Sequence, residues 1–306
     1  MSNRDGLQAN SMLGGKRIPD AVLALSIPLR YNFVRLGWFQ ESELEKHMPF
    51  APVEGGQLHY RFDGPQELPV LVLSNSLGTD LSMWDAQIPA FTRHFRVLRY
   101  DSCGHGKSTF AGGGFKIDKL GEDVVRLLDH LGIANVSFCG LSVGGLVGQW
   151  LGLHAAERLN KLVLCNTAAH IGTAEAWNAR IDAVKKGGLA SISAGILDRW
   201  FTPGFHARHP DMVNHFRQVI ESTPAESYVA TCGAIRDADL REEVSKIRIK
   251  TLVIAGTQDK ATPPEGGRHL AERIAASKYV ELDTAHLSNV ELPQQFSEEV
   301  LKFLVP

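Results

Sequence analysis

The sequence has little that would select a partner by charge. Its 32 Lys and Arg almost balance 34 Asp and Glu, for a formal net charge of −2. No long basic run is present, so neither nucleic acid nor an anionic membrane surface is indicated. Cysteine is scarce as well. Cys103, Cys139, Cys165 and Cys232 are the four, and none forms a Cys-x-x-Cys pair. That spacing offers no disulfide framework and no thiolate metal motif, and it fits buried, reduced thiols in a cytosolic protein. Long apolar runs are missing too. The longest uncharged apolar stretch near the start, residues 21–29, is far short of the roughly 20 residues that cross a bilayer as a helix. What remains is ordinary for a globular chain: 306 residues, 44% hydrophobic and 22% charged, enough for one large α/β domain or two small ones.

Residues 1–47 stand apart from the rest and read as an N-terminal leader, with Met48 as a second candidate start. From there, residues 48–166 and 239–306 read as an α/β core, and 167–238 as an inserted helical lid. Short apolar runs carry the strand signal: Gln57–Phe62, Pro69–Ser74, Phe95–Tyr100, Asn135–Cys139, Lys161–Asn166, Thr251–Ala255 and Lys278–Leu282. Most are continuous rather than alternating, as expected of strands covered on both faces. Helical spacing at Leu120, Val124, Leu127, Leu128 and Leu131 places an amphipathic helix between two of them. Strands alternating with helices predict a mostly parallel sheet with helices on both faces. Between 167 and 238 the strand-like runs give way to helical periodicity broken by Gly187-Gly188, Pro203-Gly204 and Pro210.

The stretch that organises the chain is Gly140-Leu141-Ser142-Val143-Gly144. It follows an apolar run and opens a helical segment, the strand–turn–helix setting of a nucleophile elbow. A serine hydroxyl is a weak nucleophile at neutral pH and needs a base, which in turn needs an orienting acid. Of the 12 His, His286 follows the last strand at the sheet edge where Ser142 is expected, and loops after parallel strands gather at one edge. The acid should sit after a strand between the two. Asp259 meets that condition, with Asp283 as the runner-up, and the order Ser142, Asp259, His286 is that of the α/β-hydrolases. The developing oxyanion needs backbone donors, for which Val143 and Leu77 are placed; each is worth about 3–4 kcal/mol of barrier. Gly106-Lys107-Ser108 imitates the end of a P-loop, but the Gly that motif needs five positions earlier is Asp101, so nucleotide binding is not expected.

From Met48 onward the chain resembles the α/β-hydrolases, and within them the 3-oxoadipate enol-lactonases of the β-ketoadipate pathway. The matching stretches are 73–84, 95–101, 138–142, 164–169, Arg199-Trp200-Phe201-Thr202 and 283–289. Asp101-Ser102-Cys103-Gly104 departs from the Asp-x-Arg-Gly usual at that turn. The resemblance implies hydrolysis of 3-oxoadipate enol-lactone to 3-oxoadipate, with no metal or organic cofactor and a small-molecule lactone as the partner. That substrate carries a free carboxylate. Trp177 and Arg180, three apart on one helical face, are the candidates to line that side of the pocket. The alternatives are a carboxylesterase, perhydrolase or carbon–carbon hydrolase with the same triad, or a hydrolase-fold ligand receptor, which turnover would separate from an enzyme.

Overall fold

The computed structural model describes residues 49–305; the leader expected over 1–47 lies outside the described residues. Eight strands form one sheet in the order β1-β2-β4-β3-β5-β6-β7-β8. They are β1 (Phe50–Val53), β2 (Gly56–Asp63), β3 (Val70–Ser74), β4 (Arg96–Tyr100), β5 (Val136–Leu141), β6 (Leu159–Cys165), β7 (Thr251–Gly256) and β8 (Ser277–Leu282). The β1–β2 and β2–β4 pairs are antiparallel, and every pair from β4 to β8 is parallel. All six residues of β5 and of β7 are buried, which is why these strands read as unbroken apolar runs. β1 was not legible: Phe-Ala-Pro-Val holds a proline and sits at the sheet edge, where a missing N–H is tolerated.

Strand β3 lies between β4 and β5, and Ser74 at its end pairs with Gly140. The chain leaves β3 toward β4 on one side and leaves β5 toward β6 on the other. The loops after β3 and β5 therefore diverge and open a crevice at the carboxyl ends, where ligands bind in such sheets. Leu77 follows β3 and Ser142 follows β5, so the strand order puts both at the mouth of that crevice.

The helix α1 (Ile117–His130) buries Leu120, Val124, Leu127 and Leu128 together with Asp123, whose carboxylate is paired with Lys119 at 2.8 Å. The next, α2 (Val143–His154), buries ten consecutive residues from Val143 to Gly152 and runs through the core behind the elbow. The sequence pattern indicates a helix from Gly145 to Ala156; it begins two residues earlier, directly at the nucleophile turn. Five helices lie between β6 and β7: α3 (Ala174–Gly187), α4 (Ser193–Trp200), α5 (Pro203–Arg208), α6 (Pro210–Ser222) and α7 (Ala225–Asp237). Thr173 and Thr202 cap α3 and α5 by accepting backbone N–H bonds. The core closes with α8 (Pro264–Arg273), the single turn α9 (Ser288–Glu291) and α10 (Pro293–Leu304). The sequence pattern suggests one terminal helix over 290–303. Leu292 leaves helical geometry at φ −128° before Pro293, and the segment splits in two, because the residue before a proline avoids the α region.

The Gly-rich turn after β4 serves Asp101. Its carboxylate accepts His59 Nδ1 at 2.7 Å, Leu81 N at 2.7 Å and Lys107 N at 2.9 Å. A Cβ on Gly106 would lie 2.3 Å from that carboxyl carbon. The glycine that imitates a phosphate loop is therefore a space requirement of a buried acid.

Candidate active site

Ser142 occupies the turn between β5 and α2 with φ 61° and ψ −117°, a left-handed conformation strained for a non-glycine residue. The flanking glycines make it possible. A Cβ on Gly140 would sit 2.0 Å from the Gly144 carbonyl oxygen, and one on Gly144 would sit 2.4 Å from the Ser74 carbonyl oxygen. Both clashes are with backbone, which cannot step aside. Gly140→Ala is expected to cost about 3 kcal/mol, the upper end of overpacking; a thermal unfolding scan would show it as a several-degree fall in Tm. The turn is held by Ser142 N donating to the Cys165 carbonyl at 2.9 Å and by Thr167 Oγ1 donating to the Ser142 carbonyl at 2.8 Å. Gly144 N donates to the Asn75 carbonyl at 3.1 Å, tying the elbow to the loop after β3.

Val143 is the first residue of α2, so its N–H has no partner within the helix. Leu77 lies in the turn closed by Thr79 N donating to the Ser76 carbonyl. Among the described residues neither N–H is taken by another protein acceptor. Met83 shapes that turn. Its sulfur accepts from Ser76 N at 3.4 Å and from Thr79 Oγ1 at 3.0 Å, on either side of Leu77.

His286 lies in the loop after β8 and Asp259 in the loop after β7, both almost fully buried. His286 Nδ1 donates to Asp259 Oδ2 at 2.8 Å. Asp283 points elsewhere, accepting from Thr257 and Gln258 on the surface, so the imidazole faces Asp259. The same Oδ2 also accepts Thr262 Oγ1 at 2.8 Å and Asn166 Nδ2 at 3.1 Å, while Oδ1 accepts Ala261 N at 2.8 Å and Thr262 N at 2.9 Å. Burial opposes the negative charge, but the neighbouring His286 and the Thr262 donors outweigh it and hold the carboxyl below its usual range.

Asn166 is a residue that motif reasoning passes over. It sits immediately after β6, fully buried, with φ 45°. Its amide donates to Asp259 and to the Ala285 carbonyl, and it accepts Ser288 Oγ at 2.6 Å. It therefore joins the loops that carry the acid and the histidine, and Thr167 beside it holds Ser142. Among the described residues no hydrogen bond joins Ser142 Oγ to His286. Such contacts commonly tighten only when substrate binds.

Residues 69–187 match the pattern of the alpha/beta hydrolase fold. Over 243 residues, covering 79% of this chain and 91% of the relative, the sequence is 45% identical to 3-oxoadipate enol-lactonase 2 of Acinetobacter baylyi. The chain belongs to the enol-lactonase family of α/β-hydrolases. The solved enol-lactonase of Burkholderia xenovorans superposes on this hydrolase with a TM-score of 0.83 at 46% identity, covering 84% of this chain and all of that one. A thermophilic esterase from Thermogutta terrifontis, solved with malate bound, superposes at 0.78 with 27% identity, covering 84% and 97%.

In this hydrolase the helices between β6 and β7 carry two arginines near Tyr228, whose ring packs against the Leu77 loop. Trp177 is buried and gives its indole N–H to the Ile171 carbonyl, so that donor is spent on the chain itself. Its ring carries Arg180, whose guanidinium carbon lies 4.8 Å from the ring centroid. Arg180 lies near enough to Tyr228 for its charge to act on that phenol, and Tyr228 packs against the loop so closely that a Cβ on Gly78 would lie 3.1 Å from its ring. Arg199, half-buried on α4, is near enough to Arg180 for the two charges to repel. Burial, and then the charge of Arg180, push Arg199 below the usual guanidinium range. Among the described residues neither guanidinium has a carboxylate within ion-pair distance. Two partly desolvated cations without an acid between them favour an anionic ligand. Tyr228 was not legible from motif spacing; only the fold brings it to Gly78.

Proposed function

We infer that this hydrolase opens 3-oxoadipate enol-lactone to 3-oxoadipate, using Ser142 as nucleophile, His286 as base and Asp259 as its orienting acid. The similarity to relatives that carry that name supports the substrate class. What favours it over a plain carboxylesterase is the Arg180–Arg199 pair near Tyr228, whose ring packs on Gly78, because this lactone carries a free carboxylate and a simple ester does not.

The chemistry follows from the geometry. With Nδ1–H given to Asp259, the Nε2 lone pair is left to accept the Ser142 hydroxyl proton as Oγ bonds to the ring carbonyl carbon. The negative oxygen that forms is held by the N–H groups of Leu77 and Val143. When the tetrahedral centre collapses, the ring C–O bond breaks and an enolate leaves. It takes up at carbon the proton that His286 accepted from Ser142 and becomes the ketone, which returns the imidazole to its neutral form. Water then gives a proton to His286 and attacks the acyl group, and the proton passes back to Ser142 as the acid is released. No step requires a metal or an organic cofactor. The helices over 167–238 act as a lid over this crevice, with 48–166 and 239–306 as the core. Four cysteines, all buried and unpaired, support a reducing, cytoplasmic setting.

The test is the lactone against its methyl ester at the free carboxylate. Arg199→Ala should raise KM for the lactone about 10- to 100-fold, roughly 1.5–3 kcal/mol for a charged hydrogen bond, and leave the methyl ester's KM within about twofold. Arg180→Ala should act in the same direction. An unchanged KM in both variants would assign the carboxylate elsewhere.

A further inference from the structure

We propose that Glu291 is a positioning residue that yokes the His286 loop to the inserted segment carrying Arg199, so that a carboxylate held at Arg199 aligns the base. The proposal rests on the carboxylate site described above. Glu291 ends the single turn α9, and its two oxygens face opposite ways. Oε1 accepts Thr202 N at 2.9 Å and Thr202 Oγ1 at 2.7 Å. Oε2 accepts the backbone N–H of Ala285, the residue before His286, at 2.5 Å. A second link runs parallel to it, with Leu287 N donating to the Trp200 carbonyl at 3.1 Å. Residues 285 and 287, on either side of the imidazole, are thus both bonded to this strap: Leu287 directly to Trp200, and Ala285 through Glu291 to Thr202.

The strap is stiff. Thr202 also caps α5, accepting Phe205 N at 3.2 Å. Trp200 and Phe201 are buried, and Phe201 stacks on Phe205 with ring centroids 4.8 Å apart. Arg199 lies one residue before Trp200. A pull on its guanidinium therefore passes through three residues of packed backbone to Glu291. Ala285 is held from the other side as well, because its carbonyl accepts Asn166. Asn166 and the Trp200 carbonyl hold the histidine loop in place, and Glu291 adds the arm that transmits a displacement of Thr202 to it. A carboxylate suits this role because it accepts on both oxygens. An amide of the same shape would present an NH₂ to one of the backbone N–H groups and cut one arm.

The experiment compares Glu291→Gln and Thr202→Ser, the latter keeping the hydroxyl, on the enol-lactone and on its methyl ester. Both variants are first compared with wild type by thermal unfolding so that rates refer to folded protein. Glu291→Gln should lower kcat for the lactone by about tenfold or more, as loss of alignment does, with KM within about twofold. It should change kcat for the methyl ester by less than about twofold, and Thr202→Ser should match wild type on both. Equal falls on the two substrates would mean that Glu291 only supports the loop, and would overturn the proposal, as would no fall on the lactone. Hydrogen exchange with adipate as the dicarboxylate probe reads the same link without turnover. Adipate should protect both 199–208 and 284–291 in wild type, but only 199–208 in Glu291→Gln. Identical protection in the two proteins would also overturn it. If wild type hydrolysed neither substrate, the proposed reaction would fall, while exchange would still decide whether Glu291 links the two segments.

Discussion

Replacing Ser142 with Ala should lower kcat for the enol-lactone by about a millionfold, and adding His286→Ala to that variant should lower it little further. The two side chains act on one proton. Without the hydroxyl there is nothing for the imidazole to deprotonate, so the second substitution removes a function already lost. The variant should not fall to the rate of water alone. Leu77 and Val143 N–H groups survive both substitutions and should leave about 10³- to 10⁴-fold over solution. KM should stay within a few fold, because Ser142→Ala removes no group that holds the substrate's carboxylate. Fold should survive as well. Alanine adopts the left-handed turn less readily than glycine but no worse than serine, and the flanking Gly140 and Gly144 are untouched. Pre-steady-state kinetics on wild type and the two variants would check this. Additive losses from the two substitutions would mean that they serve separate steps.

Asp259→Asn should cost about 10⁴-fold in kcat, because it reverses the imidazole. Five donors converge on the two oxygens of this carboxylate. An asparagine keeps one oxygen and turns an NH₂ toward the others. If the NH₂ faces His286, Nδ1 must become the acceptor, the proton moves to Nε2, and the base is lost. If it faces the loop, the N–H groups of Ala261 and Thr262 are left buried without a partner, at about 1–3 kcal/mol each. The acid limb of stability should change too. Asp259 has its carboxyl held below the usual range in the folded state. Its contribution is then complete above its unfolded pKa of about 3.9 and is lost as pH falls through the folded value. Wild type should lose stability over that acid window, and the asparagine variant should lose less of it. Urea unfolding at a series of acid pH values would show the difference, and parallel curves for the two proteins would contradict it.

Much of the core was legible because its strands are buried on both faces. Runs such as Leu-Val-Leu-Cys and Thr-Leu-Val-Ile-Ala leave periodicity no second interpretation. Ser142, Asp259 and His286 could be named as candidates for a related reason, since each follows a strand at one sheet edge, where chain order fixes neighbourhood. Asn166 obeys the same rule. It went unnoticed because its task is to donate hydrogen bonds, and a single asparagine after a strand carries no motif. The residues between β6 and β7 were harder. Their helical spacing is plain, but which helix face meets the crevice depends on how five short helices pack, and sequence periodicity does not encode that. Arg180 could be named from its spacing to Trp177. Tyr228 and Glu291 could not, because only the fold brings Tyr228 to Gly78 and Glu291 to Thr202 and Ala285. The expected role of Trp177 shifted for a local reason: its N–H is spent on Ile171, which leaves its ring as the platform for Arg180.

Acid-quenched mass spectrometry of wild type with the enol-lactone tests the account at its centre. The account predicts a transient adduct equal to the whole lactone mass, because ring opening loses no atoms. The adduct should map to the peptide containing Ser142, form at least as fast as turnover, and be missing from Ser142→Ala. Full turnover with no adduct, or an adduct on another residue while Ser142→Ala keeps its rate, would contradict it.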